Sequence, residues 1–265
     1  MSRPPPRPRR AGPPAPGRVA AATAADLQAR VLYRDGLMLV IDKPPGIAVH
    51  GGPGGGANLE QAFDALRFGW SRPPGLAHRL DRDTSGCLVL GRHPKALRKL
   101  GMLFAEGKVE KTYWAVVRGA PAQAEGEIAA PLLKTTRRDG GWRVIVDPAG
   151  QTAVTGYRAL GAADGLTWLE LRPRTGRTHQ VRVHCAALGC PIVGDPLYGP
   201  ADDSARAPLH LHARRIVVPI REGKPVVDVS APPPPHMRDA LRRLGWSAAE
   251  DAATTAPRPT PSDDA

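Results

Sequence analysis

The sequence predicts an α+β domain built on a mostly antiparallel sheet. Short apolar runs bounded by turn residues recur along the chain, the gaps between them are hairpin-sized, and helical spacing of apolar residues is confined to a few segments. Taken in order, Leu37–Ile41 and Leu88–Leu90 are apolar runs of strand length. Pro94 suits the first position of a helix, and Leu97, Leu100, Leu103 and Phe104 follow at helical spacing up to Gly107. Lys111–Val117 (KTYWAVV) is β-branched and aromatic, and Leu166–Leu171 (LTWLEL) reads as another strand. Thr178–Leu188 predicts a second helix with Val181, Cys185 and Leu188 as its buried stripe, ended by Gly189 and Pro191.

Residues 1–25 are rich in Pro, Arg and Ala, and residues 248–265 in Ala, Thr, Pro and Asp; neither stretch has enough large apolar side chains to offset the entropy of ordering. Both are expected to be disordered tails around a single folded block, 26–247, in which Gly51–Gly56 (GGPGGG) is expected to be a flexible surface loop. No stretch approaches the roughly 20 apolar residues that cross a bilayer, and the first residues hold no apolar core for a secretory signal. Three cysteines, Cys87, Cys185 and Cys190, do not suggest a disulfide framework. A reduced, cytoplasmic monomer is the simplest expectation.

The charge balance narrows the partner. The chain carries 37 Lys and Arg against 25 Asp and Glu, and without residues 1–18 and 248–265 the balance is still 31 basic against 21 acidic. A folded block this basic points to a polyanion, and nucleic acid is the commonest one. A DNA-binding role would want a recognition helix with exposed base-reading side chains, and Thr178–Leu188 is too apolar on one face for that.

Two segments crowd polar chemistry into short spans. Leu76–Arg92 (LAHRLDRDTSGCLVLGR) brings His78, Arg79, Asp81, Arg82, Asp83, Thr84 and Ser85 together on a loop that feeds an apolar strand, a place where a side chain can be held rigidly. For Asp83, Thr84 and Ser85, side chains bonded to their own turn are the simpler reading. Leu171–Tyr198 (LRPRTGRTHQVRVHCAALGCPIVGDPLY) places Arg172, Arg174, Arg177 and Arg182 around Gly176, with His179 and His184 close by. If Thr178 opens the helix, Arg177 and the free amides lie at its positive end, suited to phosphate. Arg182 falls beside the buried stripe, so its charge needs a partner, and a carboxylate held against it would stay ionised. A metal site at His179, His184, Cys185 and Cys190 is not expected, because their spacing fits no zinc knuckle and Cys185 belongs to the core stripe. No glycine-rich dinucleotide or phosphate loop and no nucleophile elbow is present.

HRLDRDTSG (78–86) resembles a signature of the RluA-type pseudouridine synthases, and RTGRTHQVRVHCAALGCPIVGDPLYG (174–199) resembles a second signature of that family, in the same order. VLYRDGLMLVIDKPPGIAVH (31–50), KVEKTYWAVVRG (108–119) and LHLHARRI (209–216) are weaker likenesses, so the resemblance spans roughly 30–230. It implies a mixed, largely antiparallel sheet with a central RNA-binding cleft, and an RNA pseudouridine synthase that needs no cofactor. It also implies that Asp81 is the catalytic carboxylate that attacks the target nucleotide so that uracil can detach, turn and rejoin through carbon 5. Tyr113 then corresponds to the tyrosine that packs on the target base, and Arg182 to the arginine paired with the aspartate. Arg79 corresponds to a residue near the flipped nucleotide, and His78, Arg177 and His179 complete the expected RNA contacts. Ribosomal RNA is favoured slightly over transfer RNA as the substrate. Many relatives carry a small RNA-binding domain ahead of the catalytic one, which 25 disordered residues would not supply.

Overall fold

The computed structural model describes residues 26–51, 56–136, 141–200, 207–249 and 251. The expected tail at 1–25, most of the expected tail at 248–265 and most of the Gly51–Gly56 loop lie outside the described residues. Strands β1 (Val31–Arg34), β2 (Met38–Lys43), β3 (Gly75–Leu76) and β4 (Ser85–Gly91) come first, with a 3-10 helix over Leu59–Leu66. Helix α1 (Pro94–Ala105) leads to β5 (Glu110–Arg118), β6 (Glu125–Ala129), β7 (Leu132–Thr136), β8 (Trp142–Val146), β9 (Val154–Ala163) and β10 (Leu166–Pro173). Helix α2 (Gln180–Ala187), β11 (Leu211–Val218), β12 (Val227–Ser230) and α3 (Pro235–Arg243) complete the chain.

Ten strands form one sheet in the order β1-β2-β4-β11-β5-β10-β9-β6, with β12 added to β11 and β3 to β4; β7 and β8 make a separate hairpin. Among the described strands the pairing of β11 with β4 is parallel and every other pairing is antiparallel. The expected mixed, largely antiparallel α+β architecture is the one found.

Both faces of the sheet are covered, which explains why the central strands read as near-continuous apolar runs. From β2, Leu39 and Ile41 turn to one face and pack with Leu59, Phe63 and Leu66 of the 3-10 helix. Met38 and Val40 turn to the other and meet Leu100 and Leu103 of α1. Further along, Ala115, Val117, Leu169 and Leu171 pack on Val181 and Cys185 of α2. On the opposite face Val116 and Trp168 meet Met237, Leu241 and Trp246 in and after α3. Helix α1 starts at Pro94 as its sequence predicts, with the His93 ring accepting from the Ala96 amide as an N-cap.

Two expectations need correction. Helix α2 begins at Gln180 instead of Thr178, because His179 takes a left-handed backbone conformation (φ 53°) and breaks the helical path. It is also not striped: Gln180 through Cys185 are all buried, since the sheet covers one side and the β7–β8 hairpin another. At the C-terminal end the folded part reaches beyond Ser247, where Ala248, Ala249 and Asp251 are helical and Asp251 receives a hydrogen bond from the buried Arg214 guanidinium. No helix among the described residues is long and apolar enough to cross a membrane.

Candidate active site

The loop that carries Asp81 is fixed from below by its neighbours. Leu80 is sunk into the core, the Asp81 carbonyl accepts from the Thr84 amide at 3.2 Å, and Thr84 and Ser85 are buried. Gly86 follows with φ 105°, and a Cβ there would come within 2.2 Å of the Ala213 carbonyl oxygen. The parallel contact of β4 with β11 therefore depends on a residue without a side chain.

Lys43, at the end of β2, is fully buried and uses all three N–H groups on carbonyls: Pro44 at 2.9 Å, Arg82 at 2.8 Å and Thr84 at 2.9 Å. It thus grips the Asp81 loop by its backbone carbonyls. Burial pushes its ammonium down to about 7, against the opposing pull of Asp83, Asp81 and Asp42.

The Asp81 side chain keeps 27% of its surface and turns one oxygen, Oδ2, to Arg182 Nη1 at 3.1 Å. Arg182 has a second and tighter engagement. Its Nε and Nη2 donate to the two oxygens of fully buried Asp195 at 2.8 and 2.7 Å, a fork-to-fork pair. Asp195 also accepts from the amides of Leu197 and Tyr198. Burial opposes the charge on Arg182, but the hydrogen bonds and charges of Asp195, then of Asp81, outweigh it and hold the guanidinium above its ordinary value. The result is a permanent cation, locked by one carboxylate and presented to the other.

Tyr113 reaches the same place by register. Gly86 lies opposite Ala213, Ala213 opposite Tyr113 and Tyr113 opposite Leu171, one row across four strands. The Tyr113 hydroxyl makes no hydrogen bond among the described residues. Burial pushes that hydroxyl well above its usual range and the Asp81 charge adds to the effect, so it stays a neutral phenol.

His179 lies between Asp81 and Tyr198. Its Nε2 is 3.7 Å from Asp81 Oδ2 and its Nδ1 is 2.8 Å from the Tyr198 hydroxyl. Trp142 of β8, itself exposed, stacks on the imidazole with centroids 5.0 Å apart. Arg79 is exposed and makes no ion pair or side-chain hydrogen bond among the described residues, so its guanidinium is available at the rim.

The remaining expected contacts are placed differently. His78 is stitched into the fold: its Nε2 accepts from the Val89 amide at 3.0 Å and its ring stacks on Phe104. Burial pushes it down to about 3, so it is neutral. Arg177 is exposed, but its Nε donates to the Thr152 carbonyl, and its amide is bonded to the Gln180 side chain instead of standing free for phosphate. His184 uses both ring nitrogens, on Thr155 and on the Ala130 carbonyl. Among the described residues no group of three His, Cys, Asp or Glu side chains is placed to share a metal ion.

Sequence reasoning brought Asp81, Tyr113, Arg182 and His179 together and missed Lys43, Asp195, Tyr198 and Trp142. Asp195 had a signal, an acid inside the otherwise uncharged run CPIVGDPLY. So had Lys43, a charge at the end of an apolar strand. Trp142 stands in a segment with no motif around it, and nothing in the sequence singles it out.

Known proteins resemble this chain in sequence and in fold. A family model described as RNA pseudouridylate synthase matches residues 37–187. A protein of Zymomonas mobilis named as an uncharacterized RNA pseudouridine synthase is 44% identical over 80% of this chain and 97% of its own length. The ribosomal large subunit pseudouridine synthase C of Haemophilus ducreyi is 37% identical over 83% of this chain and 70% of its own. Among solved structures, human RNA pseudouridylate synthase domain containing 4 superposes with a TM-score of 0.73 at 27% identity, covering 85% of this chain and 97% of that one. With both signatures, the sheet and these relatives in accord, the chain belongs to the RluA-type family of RNA pseudouridine synthases, which are isomerases.

Proposed function

We propose that the protein isomerises particular uridines in structured RNA to pseudouridine with Asp81 as the nucleophile, and that ribosomal RNA is its substrate in preference to transfer RNA. The observation that carries the reading is the division of labour at Arg182. Its charge is already met by buried Asp195, so the 3.1 Å contact to half-buried Asp81 is spent on orienting a carboxylate that stays open to substrate. The oriented carboxylate attacks the sugar carbon that holds the base and uracil detaches; the base turns and rejoins that carbon through carbon 5 as the carboxylate is released, carbon 5 giving up its proton and N1 taking one up. Tyr113, a neutral phenol beside Asp81, packs on the base. Arg79 at the rim meets the extruded nucleotide, whose unstacking costs a few kcal/mol.

The basic balance of the chain supports a polyanionic substrate. The name of the Haemophilus relative supports the ribosomal preference. Free, buried Cys87, Cys185 and Cys190 suit a reduced compartment, and a cytoplasmic monomer completes the proposal.

The test is release of tritium from carbon 5 of labelled uridine. Asp81→Asn keeps size and hydrogen-bonding capacity but removes the attacking charge, so the variant is expected to fold and bind RNA while release falls to background. Normal release from that variant would falsify the nucleophile assignment. Mapping pseudouridines in ribosomal and transfer RNA from cells with and without the gene decides the substrate.

A further inference from the structure

We propose that His179 is a positioning residue for Asp81: its Nε2–H is the second hydrogen-bond donor of the carboxylate, set in place by the β7–β8 hairpin through Tyr198. The inference rests on the reading of Asp81 as the reacting group. It departs from the expectation that His179 is an RNA contact.

Three features of the geometry support it. The first is backbone strain. His179 has φ 53° and ψ 16°, a left-handed conformation that a residue with a Cβ holds only where its surroundings fix it. That conformation ends the helical path and turns the ring toward the carboxylate. The second is the chain of partners. The Val144 amide donates to the Tyr198 hydroxyl at 3.1 Å, which leaves that hydroxyl its own proton to give to His179 Nδ1 at 2.8 Å. With Nδ1 accepting, the ring proton belongs on Nε2, and Nε2 faces Asp81 Oδ2 at 3.7 Å. A shift of about half an ångström closes this to a hydrogen bond of ordinary length, the tightening that accompanies substrate binding at a catalytic site. The third is the clamp on the ring itself. Trp142 stacks on it at 5.0 Å, and the Tyr198 ring meets it edge-on at 5.7 Å. Val144 and Trp142 both come from β8, so the hairpin sets both the tautomer and the plane of the imidazole.

The charges facing the ring come from four sides: Asp81 from the loop before β4, Arg182 from α2, Asp195 from the segment after it and Lys134 from β7. Burial lowers the ring's proton affinity most; Asp81 and Asp195 oppose this, while Arg182 and Lys134 reinforce it, and the net shift is downward. The imidazole is therefore a neutral donor. It orients the carboxylate without adding a cation that would blunt its attack; that charge is left to Arg182.

The experiment combines kinetics with spectroscopy on the full chain. His179→Ala is expected to lower kcat on the order of 10- to 100-fold, the span of one hydrogen bond to a charged group, with KM for RNA little changed. His179→Gln, which keeps an N–H donor, recovers part of that loss. Nitrogen NMR of the labelled imidazole should show a neutral ring protonated at Nε2 at pH 7. Tyr198→Phe should scramble the tautomer and lower kcat in the same direction. The proposal is overturned by a rise in KM with kcat unchanged in His179→Ala, by an Nδ1-protonated ring, or by an imidazolium at pH 7. If the alanine variant does not fold, the wild-type spectrum and Tyr198→Phe decide. Turnover by Asp81→Asn would instead overturn the underlying assignment, independently of anything measured at His179.

Discussion

Asp195 has no surface of its own and gives both carboxylate oxygens to Arg182, so removing the arginine would strand one charge in the interior and release another at its edge. Arg182→Met is therefore expected to cost about 3–5 kcal/mol of stability as well as the activity. Arg182→Lys keeps the charge but cannot make the fork, and should fall between the two. Chemical denaturation measures the cost; an unchanged midpoint for Arg182→Met would mean that Asp195 is satisfied without it. That Arg182 needs a carboxylate was legible in the sequence, because it stands beside Val181 and Cys185 in a buried segment. Which carboxylate takes the stronger bonds was not. The answer depends on how the irregular segment after α2 folds back over it, and no periodicity describes that path. The partners of Lys43 were illegible for the same reason, since two of its acceptors lie on a loop that only tertiary packing brings to it.

Elements whose sequences agree with their packing were the ones that could be read in advance. Helix α1 has a capping residue, a proline at its start and apolar residues facing one core, so local and global signals coincide. Strand β7 (LLKTT) has one buried residue, and the strand pattern is too weak to stand out without the partner it lies on. Helix α3 was missed because only Met237 and Leu241 are buried along a segment dominated by charge. Strand β4 makes an element-level prediction. Any side chain at Gly86 meets the Ala213 backbone and must also adopt φ 105°, a conformation that costs an ordinary residue about 1–3 kcal/mol. Gly86→Ala should destabilise the protein by at least that amount and lower kcat, because β4 and β11 must part where they hold the Asp81 loop. Thermal unfolding and the tritium assay check it; wild-type values in both would show that the contact can relax.

At the scale of the molecule, the buried histidines give stability a pH dependence. His78 and His212 are both held neutral by burial, down to about 3; the Val89 amide donates to His78, while His212 bonds to Ser85 and to the Ala231 carbonyl, the last of which opposes the shift without cancelling it. Their folded values are depressed, so between about 6.5 and 3 the unfolded chain binds protons that the folded chain refuses. Stability should fall as pH drops through that window, by about 1.4 kcal/mol per pH unit for each histidine at most. Denaturation at stepped pH measures the slope; a His78→Gln, His212→Gln pair should be less stable at pH 7 and lose part of that slope, and an undiminished slope would assign it to other titrating groups, His179, His184 and His236 among them. The overall architecture was legible because the central strands are apolar enough to be seen singly, whereas their order was not, since strands adjacent in space are distant in sequence. Strand β11 stands between β4 and β5, and its His212 bonds to Ser85 across 127 positions of chain. Until β11 has been synthesised, the strands that come before it remain two separate half-sheets, each with an open edge at what will become the middle of the protein. Contacts of such long range close slowly, and the row that joins Tyr113 to Gly86 through Ala213 is among them. Catalytic competence should therefore arrive late in biosynthesis, and a chain halted before Leu211 should aggregate through those edges instead of accumulating as a partly active enzyme.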